Sequence, residues 1–207
     1  MIKIEAQRAG TVVIGEDLGL VPEGFRDTMR DGGFYGYSVL QFEKNKSGKF
    51  NDPRNNPQQT LACFSTHDTP TLKGYTTGRD IHWWQQLGWI DEAMVKQRRI
   101  DRSQDVHSLM ELTAALPKTT SSLKPTLPVE TDLSTELHGL IARSSSALVA
   151  VQLDDILILT DAQNLPGTTD EHPNWRRRYP IQTATLGEHE SFKTTAAIMK
   201  NSGKRKP

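Results

Sequence analysis

Two titratable pairs hold most of the chemistry open to this sequence: Glu16-Asp17 within Ile14-Gly15-Glu16-Asp17-Leu18-Gly19, and His67-Asp68 within Ser65-Thr66-His67-Asp68-Thr69-Pro70. Each follows a short apolar run. Carboxyl groups brought to one rim can share the work of glycoside cleavage. One acid protonates the leaving oxygen, while a carboxylate about 5 Å away attacks in a retaining reaction and further groups stabilise the sugar cation. The acid must hold its proton when attack begins, so burial or a neighbouring charge has to raise its pKa. Glu16 is the candidate acid. Asp68, beside His67, is the candidate for hydrogen bonds to sugar hydroxyls that strengthen in the transition state. Plainer roles compete with these: an acidic pair after a strand also serves as a helix cap or solvated turn, and His67-Asp68 as a capped turn. Trp175, between Asn174 and Arg176, suits sugar contact or the anchoring of its own loop. The arginines at 176 to 178 suit a solvated or salt-bridged face.

The elements that must position these groups alternate between strand and helix. Residues 1–9 read as the last turns of a helix ending at Gly10. Thr11 to Ile14 is continuously apolar and β-branched, the pattern of a strand buried on both faces. Pro22 to Arg30 reads as a helix with Phe25 and Met29 on one face, stopped by Gly32-Gly33. Residues 37–42 and 60–65 read as further strands, separated by a polar loop over 44–58. Asp80 and Asp91 are expected to cap two outer helices, the first carrying Trp83, Trp84 and Leu87, the second Met94, Val95, Ile100, Val106, Leu109, Met110 and Leu112. A Thr/Ser/Pro-rich surface linker is expected at 117–132, a helix at 135–144 and a fourth strand at 147–153, whose end releases Asp154 and Asp155. The residues from 200 to 207 read as a mobile basic tail. Strand-helix-strand order implies a parallel sheet with right-handed crossovers, in which ligands gather at the C-terminal ends of the strands.

Composition narrows the function. The 207 residues carry 25 basic and 25 acidic side chains, so no strong field for nucleic acid or membranes is expected, and a neutral partner fits. The closing Lys204-Arg205-Lys206 is too short to imply nucleic-acid binding. Hydrophobic residues make up 35% and mean hydropathy is -0.57, low for a chain that packs against nothing else. The single cysteine, Cys63, allows no internal disulfide, and neither a signal peptide nor a membrane span is evident, so a soluble cytoplasmic protein is expected. The six histidines show no zinc-binding spacing, and neither metal nor cofactor is expected.

Taken together, Val13-Ile14-Gly15-Glu16-Asp17-Leu18-Gly19, Phe64-Ser65-Thr66-His67-Asp68-Thr69-Pro70-Thr71, and Asn164-Leu165-Pro166-Gly167-Thr168 with Pro173-Asn174-Trp175-Arg176 resemble the 4-α-glucanotransferases, or amylomaltases. The resemblance covers residues 1–182 and implies the C-terminal half of a (β/α)8 TIM barrel of the α-amylase type, with 183–207 as a C-terminal helix or tail. It implies Glu16 as the general acid/base, Asp68 as the transition-state stabiliser, His67 in contact with the donor-site sugar and Asn164 at the substrate rim, acting on maltooligosaccharides or α-glucans. It also implies a nucleophilic aspartate in an Arg-x-Asp motif on the preceding strand, yet no aspartate precedes Glu16 here. The expectation is therefore a family fragment that is inactive alone. The alternatives are a non-catalytic glucan-binding piece, one needing an N-terminal partner chain, and, as a weaker reading, a metal-dependent hydrolase using Glu16, Asp17, Asp68 and His67.

Overall fold

A parallel sheet of three short strands lies at the centre of the computed structural model, which describes residues 1–116 and 129–202. The strands run in sequence order, β1 (Gly36–Val39), β2 (Thr60–Cys63) and β3 (Leu148–Val149), and the fold is α/β. Gly36 lies opposite Thr60 and Val39 opposite Cys63, while Ala62 lies opposite Val149. Parallel neighbours need long crossovers. Two helices precede the sheet, α1 (Ile2–Ala9) and α2 (Phe25–Asp31). The β2-to-β3 crossover holds four more, α3 (Leu72–Thr77), α4 (Arg79–Gln86), α5 (Glu92–Ala114) and α6 (Val129–Ala142); α7 (Leu153–Ile156) and α8 (Glu190–Ser202) follow.

Local chemistry sets several boundaries. Gly10 ends α1 in the left-handed region at φ 60°, which glycine adopts without a Cβ clash. Asp91 caps α5 by accepting the Met94 amide at 2.8 Å. Thr71 caps α3 by accepting the Gly74 amide at 2.9 Å, and its hydroxyl donates to the Leu159 carbonyl at 2.6 Å. One side chain thereby starts a helix and ties it to the chain 88 residues later.

The core gathers Leu40, Phe64 and Leu72 with Leu109 of α5 and Leu133, Leu137, Leu140 and Ile141 of α6. Each buried leucine stabilises the fold by roughly 1.5–3 kcal/mol. Leu137 and Ile141 stand four apart on α6, as do Leu133 and Leu137, giving one apolar stripe. Cys63 is buried in β2, and burial, with the Asp155 charge adding to it, pushes its thiol up to about 12. Among the described residues no helix is long and apolar enough to cross a membrane.

Several expectations need correction. Thr11 to Ile14 is not a buried strand: it makes one parallel bridge, Ile14 to Tyr35, and Val12 is 54% exposed. Its apolar pattern is that of a central strand, but only one side of it is paired among the described residues, through Tyr35 N–H to Val13 O (3.0 Å) and Gly15 N–H to Tyr35 O (2.8 Å). β1 stops at Val39, and residues 40–42 turn into a 3-10 helix; β2 stops at Cys63, and β3 spans only Leu148–Val149, with α7 beginning at Leu153. The helix expected at 135–144 runs from Val129 to Ala142, and the one expected from Pro22 begins at Phe25. Asp80 is no cap. It lies inside α4, buried, and pairs with Arg102 of α5. On α5 itself Met94, Ile100 and Met110 are exposed, so only part of its expected apolar face is used. The expected linker falls at 117–128 outside the described residues and beyond that within α6; residues 203–207 of the expected tail also lie outside them, and Lys200 belongs to α8.

Candidate active site

Glu16 and Asp17 are neighbours with opposite fates. Asp17 turns inward and is buried: its Oδ1 accepts the Tyr37 amide at 2.9 Å, and its Oδ2 accepts from Arg26 Nε at 3.0 Å. Arg26 also donates to the Asp17 carbonyl at 2.8 Å. The Asp17 carboxylate packs closely on Gly36, where a Cβ would stand 3.1 Å from Asp17 Oδ2 and push it by a few tenths of an ångström. With Asp17 bolted to β1, Glu16 points out and is exposed. Ile14 pairs with Tyr35, so two residues further along Glu16 runs beside Tyr37. Burial, then the charges of Cys63 and Glu16, raise the Tyr37 hydroxyl above its ordinary range. The burial expected of a catalytic acid is thus not supplied to Glu16 by the described residues.

β2 runs parallel to β1 and delivers His67 and Asp68 beyond the same end of the sheet. The turn carrying them is clasped by Thr69, whose hydroxyl accepts from the Thr66 amide at 2.8 Å and donates to the Thr66 carbonyl at 3.1 Å. Asp68 Oδ1 accepts from Asn164 Nδ2 at 2.7 Å, and His67 Nε2 lies 3.4 Å from the same oxygen. The Trp175 ring leans on the His67 ring, 5.4 Å between centroids at 44°. Four expected site residues, His67, Asp68, Asn164 and Trp175, therefore form one cluster. Among the described residues no hydrogen bond or ion pair ties Glu16 to it, although Glu16 follows the Ile14–Tyr35 bridge and the cluster follows β2 at the same end of the parallel sheet.

A hydrogen-bonded loop holds Asn164 and Trp175 in place. Asn174 Oδ1 accepts the Leu165 amide at 2.9 Å, and its Nδ2 donates to the Thr168 carbonyl at 3.0 Å and hydroxyl at 2.8 Å. Buried His172 meets the same Oδ1 through Nδ1 at 2.6 Å, which requires the ring proton to sit on Nδ1. Trp175 is 63% exposed and stands at φ 58°, a conformation rare for a bulky residue, and its amide donates to the Gln163 carbonyl at 2.9 Å. An exposed indole in a strained, hydrogen-bonded backbone is a rigid platform of the kind sugars stack upon. Of the arginine run, Arg176 pairs with Asp170 at 2.8 Å and Arg177 with Asp161 at 3.2 Å, so those two are salt-bridged.

Sequence reasoning passed over Asp17 as a structural anchor, the clasp of Thr69, and the Asn174–His172 pair. Alternation along an extended chain was the one available signal, since it turns one of two adjacent acids inward. Among the described residues no three His, Cys, Asp or Glu side chains converge as a metal would require. A cavity of about 1160 Å³ runs alongside β1 from Asp17 and Arg26 to Phe42 and Gln58, and none of the five expected site residues lines it.

Residues 1–183 match the family model described as 4-alpha-glucanotransferase. The 4-alpha-glucanotransferase of Haemophilus influenzae is 30% identical over 197 residues, covering 94% of this chain and 28% of that protein. That of Mycobacterium bovis is 34% identical over 183 residues, 85% of this chain and 24% of that protein. The chain thus spans about a quarter of the length of these curated relatives. The crystal structure of amylomaltase from Corynebacterium glutamicum superposes with a TM-score of 0.81 at 30% identity, covering 96% of this chain and 30% of the other. Amylomaltase from Streptococcus agalactiae, solved in complex with acarbose, shares the fold with a TM-score of 0.58 at 18% identity, covering 95% and 33%.

Proposed function

The chain belongs to the 4-alpha-glucanotransferase family, and from that premise we propose that it carries the acid/base and part of the sugar-binding rim of an α-1,4-glucan transfer site. The observation that carries this reading is the cluster at the sheet's C-terminal end: Asp68 held by Asn164 at 2.7 Å and flanked by His67, with Trp175 against His67, at the same end as Glu16. We read the sheet as part of a (β/α)8 barrel, the remaining strands belonging to stretches of the enzyme outside these 207 residues. Those stretches also bring the nucleophilic aspartate and cover Glu16.

Transfer then runs in two displacements. Glu16 gives its proton to the glycosidic oxygen as the aspartate's carboxylate attacks the anomeric carbon, and the shortened glucan leaves. Asp68 binds hydroxyls of the donor sugar more tightly as the ring flattens, which lowers the barrier rather than the Michaelis constant. Glu16, now a carboxylate, takes the proton of an incoming sugar hydroxyl, and that oxygen resolves the glycosyl-enzyme. Asn164, His67 and Trp175 hold maltooligosaccharide at the rim, where an acceptor sugar excludes water and so favours transfer over hydrolysis. The chemistry calls for no metal or cofactor, and the setting we propose is the cytoplasm.

The test is maltotriose disproportionation, followed as glucose and longer maltodextrins. It is run on this chain alone and on a chimera in which it replaces the matching segment of the Haemophilus influenzae relative. We expect the chain alone to be silent and the folded chimera to be active, with Glu16→Gln lowering turnover by about 10²–10⁴-fold. A chimera that keeps its turnover with Glu16→Gln would falsify the acid/base assignment. Maltodextrin binding to the isolated chain without turnover in the chimera would favour the non-catalytic reading.

A further inference from the structure

Helix α7 presents two consecutive aspartates that the proposed reaction does not use, and both are buried: Asp154 and Asp155. They face different segments. Asp155 Oδ2 accepts from the Ser65 hydroxyl at 3.1 Å, and its Oδ1 accepts the Leu72 amide at 2.6 Å. Ser65 and Leu72 bracket the turn that carries His67 and Asp68. Ser65 is held a second time, because Gln152, the residue before α7, donates to its hydroxyl at 2.6 Å. Asp154 looks the other way. Its Oδ1 accepts from Gln163 Nε2 at 2.8 Å and its Oδ2 from the Tyr179 hydroxyl at 3.0 Å. Gln163 is the residue before Asn164, and its carbonyl receives the Trp175 amide at 2.9 Å.

These bonds close a circuit. From Asp68 it passes back along the turn to Ser65, through Asp155 and Asp154 on the helix, to Gln163, and from Asn164 returns to Asp68 at 2.7 Å. The two segments that meet at Asp68 are otherwise about a hundred residues apart in sequence, and two adjacent carboxylates on one short helix fix their separation. We propose that Asp154 and Asp155 are positioning residues: as one rigid acceptor pair they set where Asn164 grips Asp68. Burying two neighbouring carboxylates is costly, and each here is met by two donors, one on each oxygen. That expense is easier to understand if the pair sets a distance elsewhere than if it only adds stability. The functional weight of the distance rests on the role given above to Asp68; the placement itself does not.

The test reads the Asn164–Asp68 contact directly in the 207-residue chain. The side-chain amide of Asn164 is followed by ¹⁵N-resolved NMR, its signal assigned by its disappearance in Asn164→Ala. Two variants cut the circuit, Asp154→Ala at the helix and Gln163→Leu at the loop. We expect the Asn164 amide pair to move to the positions of a solvent-exposed asparagine in both, and Gln163→Leu also to lower the melting temperature, since it leaves Asp154 Oδ1 buried without its donor. A merely structural role would lower melting and leave the local signal in place. If Asp154→Ala does not fold, Gln163→Leu decides alone. An unmoved Asn164 signal in a folded variant overturns the proposal. A moved signal in the chain, combined with unchanged turnover in the Gln163→Leu chimera, leaves the positioning intact and removes instead the catalytic role of Asp68.

Discussion

Replacing His138 with leucine should stabilise the protein, and by more the more acidic the solution. His138 sits on α6 with 2% of its surface exposed, and neither ring nitrogen meets a hydrogen-bonding partner. Burial pushes its pKa down from 6.5 to about 4. The unfolded chain therefore takes a proton near pH 6.5 that the folded chain refuses until about pH 4, so folding loses stability as pH falls through that window. A displacement of roughly 2.5 in pKa corresponds to about 3 kcal/mol. For a domain of this size that is roughly 6–12 °C in melting temperature. Leucine removes the titration and also the unpaired buried nitrogens, whose desolvation costs about 1–3 kcal/mol at any pH. Urea unfolding of wild type and His138→Leu at pH 7, 6, 5 and 4 should show the variant ahead at pH 7, the gap widening by about 3 kcal/mol at pH 4. Comparing the two proteins cancels every other titrating group. A gap that stays constant across the series refutes the premise that this histidine is dry and neutral.

Asp155 should behave with the opposite sign. Its carboxyl is pushed up to about 6, chiefly by burial, so the stability it contributes is full below pH 3.8 and is lost as pH rises through 6; relative to Asp155→Asn, wild type should weaken by about 2 kcal/mol between pH 4 and 6. A flat difference curve would refute this. Breaking the pair in which Arg102 grips Asp80 at 2.9 and 2.7 Å, over the Tyr75 ring at 3.7 Å, should cost about 3–5 kcal/mol in Asp80→Ala, because a buried cation loses the carboxylate that it is bonded to. A loss below about 1 kcal/mol in urea would mean water reaches the site. Gly74→Ala would set a Cβ 2.4 Å from the Thr160 carbonyl oxygen. It should destabilise by about 1–3 kcal/mol despite the helix propensity of alanine; a higher urea midpoint would show that the Thr160 segment gives way.

What the sequence disclosed was mostly local chemistry. Gly10 as a helix stop and Asp91 as a cap are set by one residue and its immediate neighbours, and both stand as read. The cluster of His67, Asp68, Asn164 and Trp175 was legible through the family resemblance of three short motifs, since the residues read singly left capped turns and a loop anchor open. What stayed hidden depends on distant partners. Asp80 has the type and spacing of a cap and is instead the mate of Arg102, twenty-two residues on. Asp154 and Asp155 read as residues released at the C-terminal end of a strand, although their partners lie in three other segments. The run from Thr11 to Ile14 has the pattern of a doubly buried strand, but a pattern says which faces are apolar and not how many neighbours are present to cover them.

The buried thiol on the central strand makes the fold measurable in time. Cys63 is the single cysteine of the chain, and with a pKa near 12 almost none of it is thiolate at neutral pH. An alkylating reagent therefore finds no target until β2 parts from its neighbours, and each modified molecule records one such opening. The rate of labelling, free of background from any second site, is a stopwatch for the sheet that positions both acidic motifs. Binding of maltodextrin at the rim, if it braces β2, should slow that clock.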